Sequence, residues 1–122
     1  MAESYRDLIV WQKAVDLSVE VYNWSHKLPK SELFGLTSQI RRSAISIPSN
    51  IAEGRYRSTR KDFLQFLRIA YASGAELETQ LEICKRLSLM DDLDYNKLNG
   101  LLVEVMKMLN VMIVKLSNQH LL

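Results

Sequence analysis

The sequence predicts an all-α fold, an antiparallel up-down-up-down four-helix bundle. Three observations carry that prediction. Apolar residues recur at intervals of three and four through four long segments. The 122 residues include only two prolines and four glycines, few enough for helices to run long. No stretch alternates with period two for long enough to make a strand. The four segments, about 8–28, 31–54, 59–89 and 93–117, are joined by short links. Short links make consecutive helices antiparallel neighbours, here within a single domain spanning 1–122.

Helix one is expected from about Leu8 to Leu28, stopped by Pro29. Gln12, Lys13, Asp16, Glu20, Asn23 and Lys27 gather on one arc of roughly 100°. Val10, Trp11, Ala14, Val15, Leu17, Val19, Val21 and Tyr22 fill most of the rest. Helix two follows, with Ser31 as its expected cap and Glu32 suited to the positive helix end. Its stripe is Leu33, Leu36, Ile40, Ala44, Ile47 and Ile51. Pro48 lies inside it without an N–H, and its ring crowds the carbonyl of Ala44, so a kink is expected there. Gly54 is expected to end the helix through a positive φ.

Helix three opens on Thr59-Arg-Lys-Asp62, a capping-box pattern. A heptad seam runs Phe63, Leu67, Ala70, Gly74, Leu77, Leu81, Cys84 and Ser88, the spacing of left-handed bundle packing. The seam is small at Ala70 and Gly74, where a neighbour approaches closely and Trp11 or Trp24 is expected to fill the space. A glycine in mid-helix costs about 1 kcal/mol relative to alanine, which close packing offsets. Asp91-Asp-Leu-Asp94 marks the next stop and start. Helix four has the seam Leu98, Leu102, Val105, Leu109, Met112 and Leu116, and a fraying tail is expected after Ser117. Helices one, three and four are apolar on more than one side. A closed homo-oligomer is the expected solution.

Composition narrows the function. One cysteine rules out an internal disulfide framework and a cysteine-rich zinc site. The N-terminus, Met-Ala-Glu-Ser-Tyr-Arg-Asp, does not read as a signal peptide. No apolar run approaches a bilayer span, so a soluble cytoplasmic protein without a membrane role is expected. His26 and His120 have no metal-ligand spacing around them, and Cys84 reads as a small core residue. Glu76, Glu78 and Glu82 lack the Glu-x-x-His pattern of di-metal bundles and read as a solvated face or as ion-pair partners. There is no phosphate-binding glycine loop and no serine–histidine–acid arrangement. No catalytic residue, cofactor or metal is expected, and the protein is not read as an enzyme.

Charge is uneven. The whole chain carries a formal +2. Residues 41–68 hold Arg41, Arg42, Arg55, Arg57, Arg60, Lys61 and Arg68 against Glu53 and Asp62, a net +5, leaving −3 elsewhere. Several cations along one surface suit phosphates, and arginine adds a fixed donor fork. Tyr56, between two arginines, is placed to stack on a base. Ser58, Thr59 and the first N–H groups of helix three are further phosphate donors. The competing reading is that Arg41 or Arg42 pairs with Glu53 or with an acid of another helix and only orients helices, while Arg60 and Lys61 are a solvated loop.

The chain also resembles a known family. The residues that carry the resemblance are Leu8-Ile-Val-Trp-Gln-Lys-Ala14, Leu33-Phe-Gly-Leu-Thr-Ser-Gln-Ile-Arg-Arg-Ser-Ala44, Ile47-Pro-Ser-Asn-Ile-Ala-Glu-Gly54, Asp62-Phe-x-x-Phe66-Leu and Glu76-Leu-Glu-Thr-Gln-Leu81. In this order they are similar to the four-helix-bundle proteins encoded in intervening sequences of bacterial 23S ribosomal RNA genes. The accessory proteins of diversity-generating retroelements are similar in architecture. The resemblance implies a ring of five bundles and a non-enzymatic role linked by gene context to ribosomal RNA. The retroelement proteins bind nucleic acid through positive surface. Arg41, Arg42, Arg55 and Arg57 are the basic positions the resemblance implies. Ile47, Pro48, Asn50 and Glu53 are implied as a structural motif. A reverse-transcriptase partner is not carried over.

Overall fold

The computed structural model describes residues 4–120, with side chains through 118. Among the described residues there are four long helices and no strand: α1 (Ile9–Ser25), α2 (Leu36–Tyr56), α3 (Arg60–Arg86) and α4 (Asp92–His120). Single 3-10 turns at Tyr5–Asp7 and Lys30–Glu32 precede α1 and α2.

Cross-helix contacts give the topology. Ser18 and Arg41 tie α1 to α2 in the pairings 18–44 and 25–41. α2 and α3 pair as 43–80 and 46–73. α3 and α4 pair as 68–117 and 82–95. Salt bridges pair α1 and the turn after it with α4 as 13–104, 20–97 and 27–94. In every pair one number rises as the other falls, so each helix runs antiparallel to both neighbours.

The stripes read from the sequence are the core. Val10, Ala14, Leu17 and Val21 of α1 meet Ile40, Ala44, Ile47 and Ile51 of α2, all but closed to solvent. Leu67, Ala70, Leu77, Leu81 and Cys84 of α3 and Leu98, Leu102, Val105 and Leu109 of α4 complete it. Trp24, Leu28 and Met90 plug one end. Burial pushes the Cys84 thiol up to about 11, with the charge of Glu32 adding to it.

Several local expectations need correction. Ser31 does not cap α2. It lies in the 3-10 turn, and Gly35 stands at the N-cap position instead. Glu32 Oε1 accepts from the Leu36 N–H at 3.5 Å. With that break in the backbone, Leu33 leaves the stripe and is half exposed. Gly54 does not end α2 by a positive φ, since none of the described glycines has one. The helix runs on to Tyr56, and Gly54 is there for close approach: a Cβ would stand 2.5 Å from Phe66 Cβ. Gly74 is also a close-approach site, but its space is filled by Met106 of α4, not by a tryptophan. Trp11 instead packs under its own N-terminal turn, its ring 5.1 Å from that of Tyr5. α4 continues as helix to His120, past the expected fraying point; the His120 side chain lies outside the described residues.

α2 is one continuous helix across Pro48. Pro48 offers no N–H to the Ala44 carbonyl four residues back. Ser18 of α1 supplies the donor: its hydroxyl is 3.0 Å from the Ala44 oxygen and equally 3.0 Å from Ala14. Polar groups also line the α2–α3 seam. Ser43 Oγ donates to Gln80 Oε1 at 2.7 Å, and Ser46 and Ser73 hydroxyls meet at 2.8 Å. Asn50 Nδ2 donates to both the carbonyl and the hydroxyl of Ser46. Buried polar groups that are satisfied in one register and orphaned in another fix how the helices slide.

Helix ends follow capping chemistry. Thr59 Oγ1 accepts from the Asp62 N–H at 3.1 Å, and Asp91 Oδ1 accepts from the Asp94 N–H at 2.7 Å. α3 closes with Ser88 in the left-handed region, φ 59°. The Leu89 N–H then reaches the Cys84 carbonyl, and the Ser88 N–H the Lys85 carbonyl. That pair of bonds is a Schellman motif.

Candidate nucleic-acid interface

The antiparallel topology decides which basic residues meet. The C-terminal turn of α2, the link 57–59, the start of α3 and the end of α4 all lie at one end of the bundle. Arg55, Arg57, Arg60, Lys61 and Arg68 sit there. Arg41 and Arg42 are roughly 20 Å back along α2, from a rise of 1.5 Å per residue. The seven cations of the +5 segment therefore do not form one patch.

Two adjoining clefts shape this end. One, of about 410 Å³, is lined by Arg60, Lys61, Asp62, Gln65, Arg68 and Ser117, with Leu64 and Leu116 as its apolar part. The other, of about 360 Å³, is lined by Arg55, Arg57, Ser58, Thr59, Arg60 and Phe63. Arg60 and Leu116 belong to both. Arg68 Nη2 donates to Ser117 Oγ at 3.2 Å across the first cleft. Among the described residues, Arg60 and Lys61 are exposed and make no ion pair. Thr59 already serves Asp62, which leaves the N–H groups of Arg60 and Lys61 as the open donors of the first turn.

The arginines differ in how committed they are. Arg57 pairs with Glu53 one turn earlier at 2.9 Å, and its guanidinium lies 4.9 Å from the Phe66 ring centre. Glu53 is thus an ion-pair partner on the surface of α2. Arg55 lies 5.8 Å from the Phe63 ring centre. Arg41 is half-buried and turned to α1. Its Nε donates to Ser25 Oγ at 2.8 Å and its guanidinium stands 4.7 Å from the Tyr22 ring centre. Arg41 therefore works as a clamp between α1 and α2. Its neighbour Arg42 is exposed. Tyr56 is 87% exposed at the tip of α2.

Three residues at this end escaped the sequence reading. Gln65 and Ser117 line the first cleft because α4 folds back over α3, and only tertiary structure brings residue 117 beside residue 68. Arg6 arrives through the N-terminal turn, which packs on α2. Its guanidinium lies over Tyr5 and Trp11, 5.6 Å from the latter's ring centre. A basic residue three positions ahead of a helix carries no periodic signal.

Elsewhere the titratable groups engage one another. Arg86 Nε donates to Glu82 Oε2 at 2.9 Å, and the Tyr95 hydroxyl donates to Oε1 at 3.2 Å. The Arg86 contact first, then that of Tyr95, holds the Glu82 carboxyl below its usual range. Burial and the same contact push the Tyr95 phenol up. Glu76, Glu78 and His26 face solvent. Among the described residues no three side chains converge as metal ligands, and no helix is long and apolar enough to cross a membrane.

Comparison with known proteins agrees with this architecture. The profile of the 23S rRNA-intervening sequence protein family matches residues 6–111. None of the curated proteins matches the chain. Among solved structures, one of a protein with unknown function from the S23 ribosomal protein family of Bacteroides thetaiotaomicron is similar. It is 30% identical, with a TM-score of 0.81, over 86% of this chain and 98% of that one. Sequence motifs, bundle topology and both comparisons converge: the chain belongs to the 23S rRNA-intervening sequence protein family.

Proposed function

We propose that this protein is a non-enzymatic, cytoplasmic homo-oligomer, a ring of five bundles, that binds RNA or DNA through phosphate contacts without reading base sequence. The observation that carries this reading is the gathering of Arg55, Arg57, Arg60, Lys61 and Arg68 around two adjoining clefts at one end. Phosphate contacts release counterions, and each adds to a salt-sensitive, sequence-independent affinity. A ring repeats the patch and multiplies weak contacts. The family's link to ribosomal RNA genes makes RNA the first ligand to try.

Exposed apolar surface supports assembly. Phe34 is 95% exposed. A groove of about 350 Å³ between α1 and α2 is lined by Val15, Val19, Tyr22, Ile45 and Pro48, with Ser18 and Asn23 at its edges. In our reading Phe34 of one copy enters this groove on the next. A knob on one copy and a groove on its neighbour make a heterologous contact, the kind that closes into rings.

Fluorescence anisotropy with a labelled RNA at low salt tests the binding. Micromolar affinity is expected, lost when Arg60 and Lys61 become glutamate and weakened when Arg55 and Arg57 do. Absence of binding at micromolar protein, or indifference to both reversals, contradicts the proposal.

A second reading has its own support. Arg41 and Arg57 are engaged within the chain, as members of a purely structural or protein-binding oligomer would be. That reading predicts assembly without nucleic-acid affinity, so the same titration separates the two.

A further inference from the structure

The aromatic rings at the basic end are not equivalent. Arg55 lies over Phe63 and Arg57 over Phe66. Arg6 lies over Tyr5 and Trp11. Each of these rings has a guanidinium of the same chain on it. Tyr56, between Arg55 and Arg57, has no such partner among the described residues and is 87% exposed. The two arginines that flank it in sequence are drawn away to phenylalanines of α3. What remains is a bare aromatic ring at the tip of α2, outside the linings of both cation-bearing clefts.

We infer that the ligand of this end is single-stranded nucleic acid, its phosphates along the α3–α4 cleft and one of its bases stacked on Tyr56. The inference rests on the proposed phosphate-binding function and specifies its substrate. Two physical arguments select a single strand. Bases within a duplex have both faces covered by their neighbours, so only an unpaired base offers a face to an exposed ring. Base–aromatic stacking is also tolerant of sequence, because every base has a π face. Arg60 and Arg68, with Lys61 between them in sequence, span about 12 Å of α3, so the cations continue as a track and not a point. Ser117 and Gln65 line the same cleft and supply neutral donors beside it.

Anisotropy titrations of the full chain with three probes test the inference: an oligouridylate, an oligothymidylate, and an RNA duplex with the same number of phosphates. The single strands are expected to bind about tenfold tighter than the duplex. Tyr56→Ala is expected to lose about tenfold on both single strands and to leave the duplex unchanged, while Tyr56→Phe keeps the affinity. The two single strands separate RNA from DNA as the preferred source of this chemistry; tighter binding of either one supports the inference. Equal affinity for strands and duplex, with Tyr56→Ala inert, overturns the inference and leaves the phosphate reading standing. Failure of all three probes at low salt overturns both. If Tyr56→Ala instead changes the particle mass in light scattering with strand affinity intact, the ring belongs to a subunit contact and the inference falls. Tyr56 is a surface residue, and an unchanged thermal melt confirms that the variants are folded.

Discussion

The two ends of the bundle use charge in opposite ways. At the end that carries residues 26–35 and 87–91, two cations are paired with acids. Lys27 meets Asp94 at 2.8 Å and Arg86 meets Glu82 at 2.9 Å. The Asp94 contact raises the Lys27 ammonium above its usual range. Large apolar side chains are also bare there: Phe34, Leu87 and Leu93. At the other end, Arg57 alone makes an ion pair among the described residues of the cluster, while Arg60 and Lys61 project into solvent beside shaped clefts. Helices of similar make-up thus finish in one end with bare apolar side chains and one end with clustered unpaired cations, which the proposed function assigns to assembly and to a polyanion. The lesson is that net charge, only +2 here, says less than which charges are already answered.

The largest expected effect lies on the apolar side. Phe34→Ser and, separately, Val19→Asp in the α1–α2 groove are expected to drop the particle mass in light scattering toward the 14.1 kDa of one chain. Secondary structure should persist, since both residues are exposed. Retention of the full mass by both variants would break the comparison by removing the apolar end from assembly.

Next comes a packing change just behind the basic clefts. Gly54→Ala gains helix propensity yet drives a methyl into the Phe66 Cβ, which is no flexible side-chain tip. Overpacking is expected to cost about 1–3 kcal/mol in denaturant unfolding. Gly74→Ala meets the mobile end of Met106 and should cost less. A stability order with Gly74→Ala the worse of the two contradicts this.

A smaller effect tests the middle of the bundle, common to both ends. Ser18→Ala takes away the hydroxyl beside the Ala44 carbonyl and is expected to cost about 1 kcal/mol. In a Pro48→Ala background residue 48 regains its N–H and the penalty should shrink. A double-mutant cycle with no coupling would show that Ser18 does not answer for the proline.

The smallest effect is a gain, at the apolar end. Ser88 closes α3 with φ 59°, a conformation that glycine adopts without strain. Ser88→Gly is expected to stabilise the fold by roughly 0.5–1 kcal/mol, read as a higher thermal midpoint. A lower midpoint would mean that the Ser88 side chain does something not seen in its contacts.

Much of the fold was legible because it is written in periodicity. Ile40, Ala44, Ile47 and Ile51 repeat at helical spacing and are buried as that spacing requires. Thr59 and Asp91 act at helix starts because a cap needs only local sequence. Leu33 misled, since it keeps the spacing while Gly35 breaks the backbone that would carry it. The candidate site was legible in composition but not in grouping. Arg41 and Arg42 are adjacent in sequence, yet one faces Ser25 and Tyr22 while the other faces solvent. Which of the two faces a neighbour depends on where α1 lies, and no spacing within α2 encodes that. Ser117 joined the cleft for the same reason, through a helix that returns 49 residues later.

The most direct test is the slope of log affinity against log salt for a single-stranded RNA, measured for the natural chain, for Arg68→Ala, and for Lys27→Ala at the opposite end. A steep negative slope is predicted, shallower by about one in Arg68→Ala and unchanged in Lys27→Ala. An affinity indifferent to salt, or a slope that responds to Lys27 and not to Arg68, would contradict the assignment of the basic end as the polyanion surface.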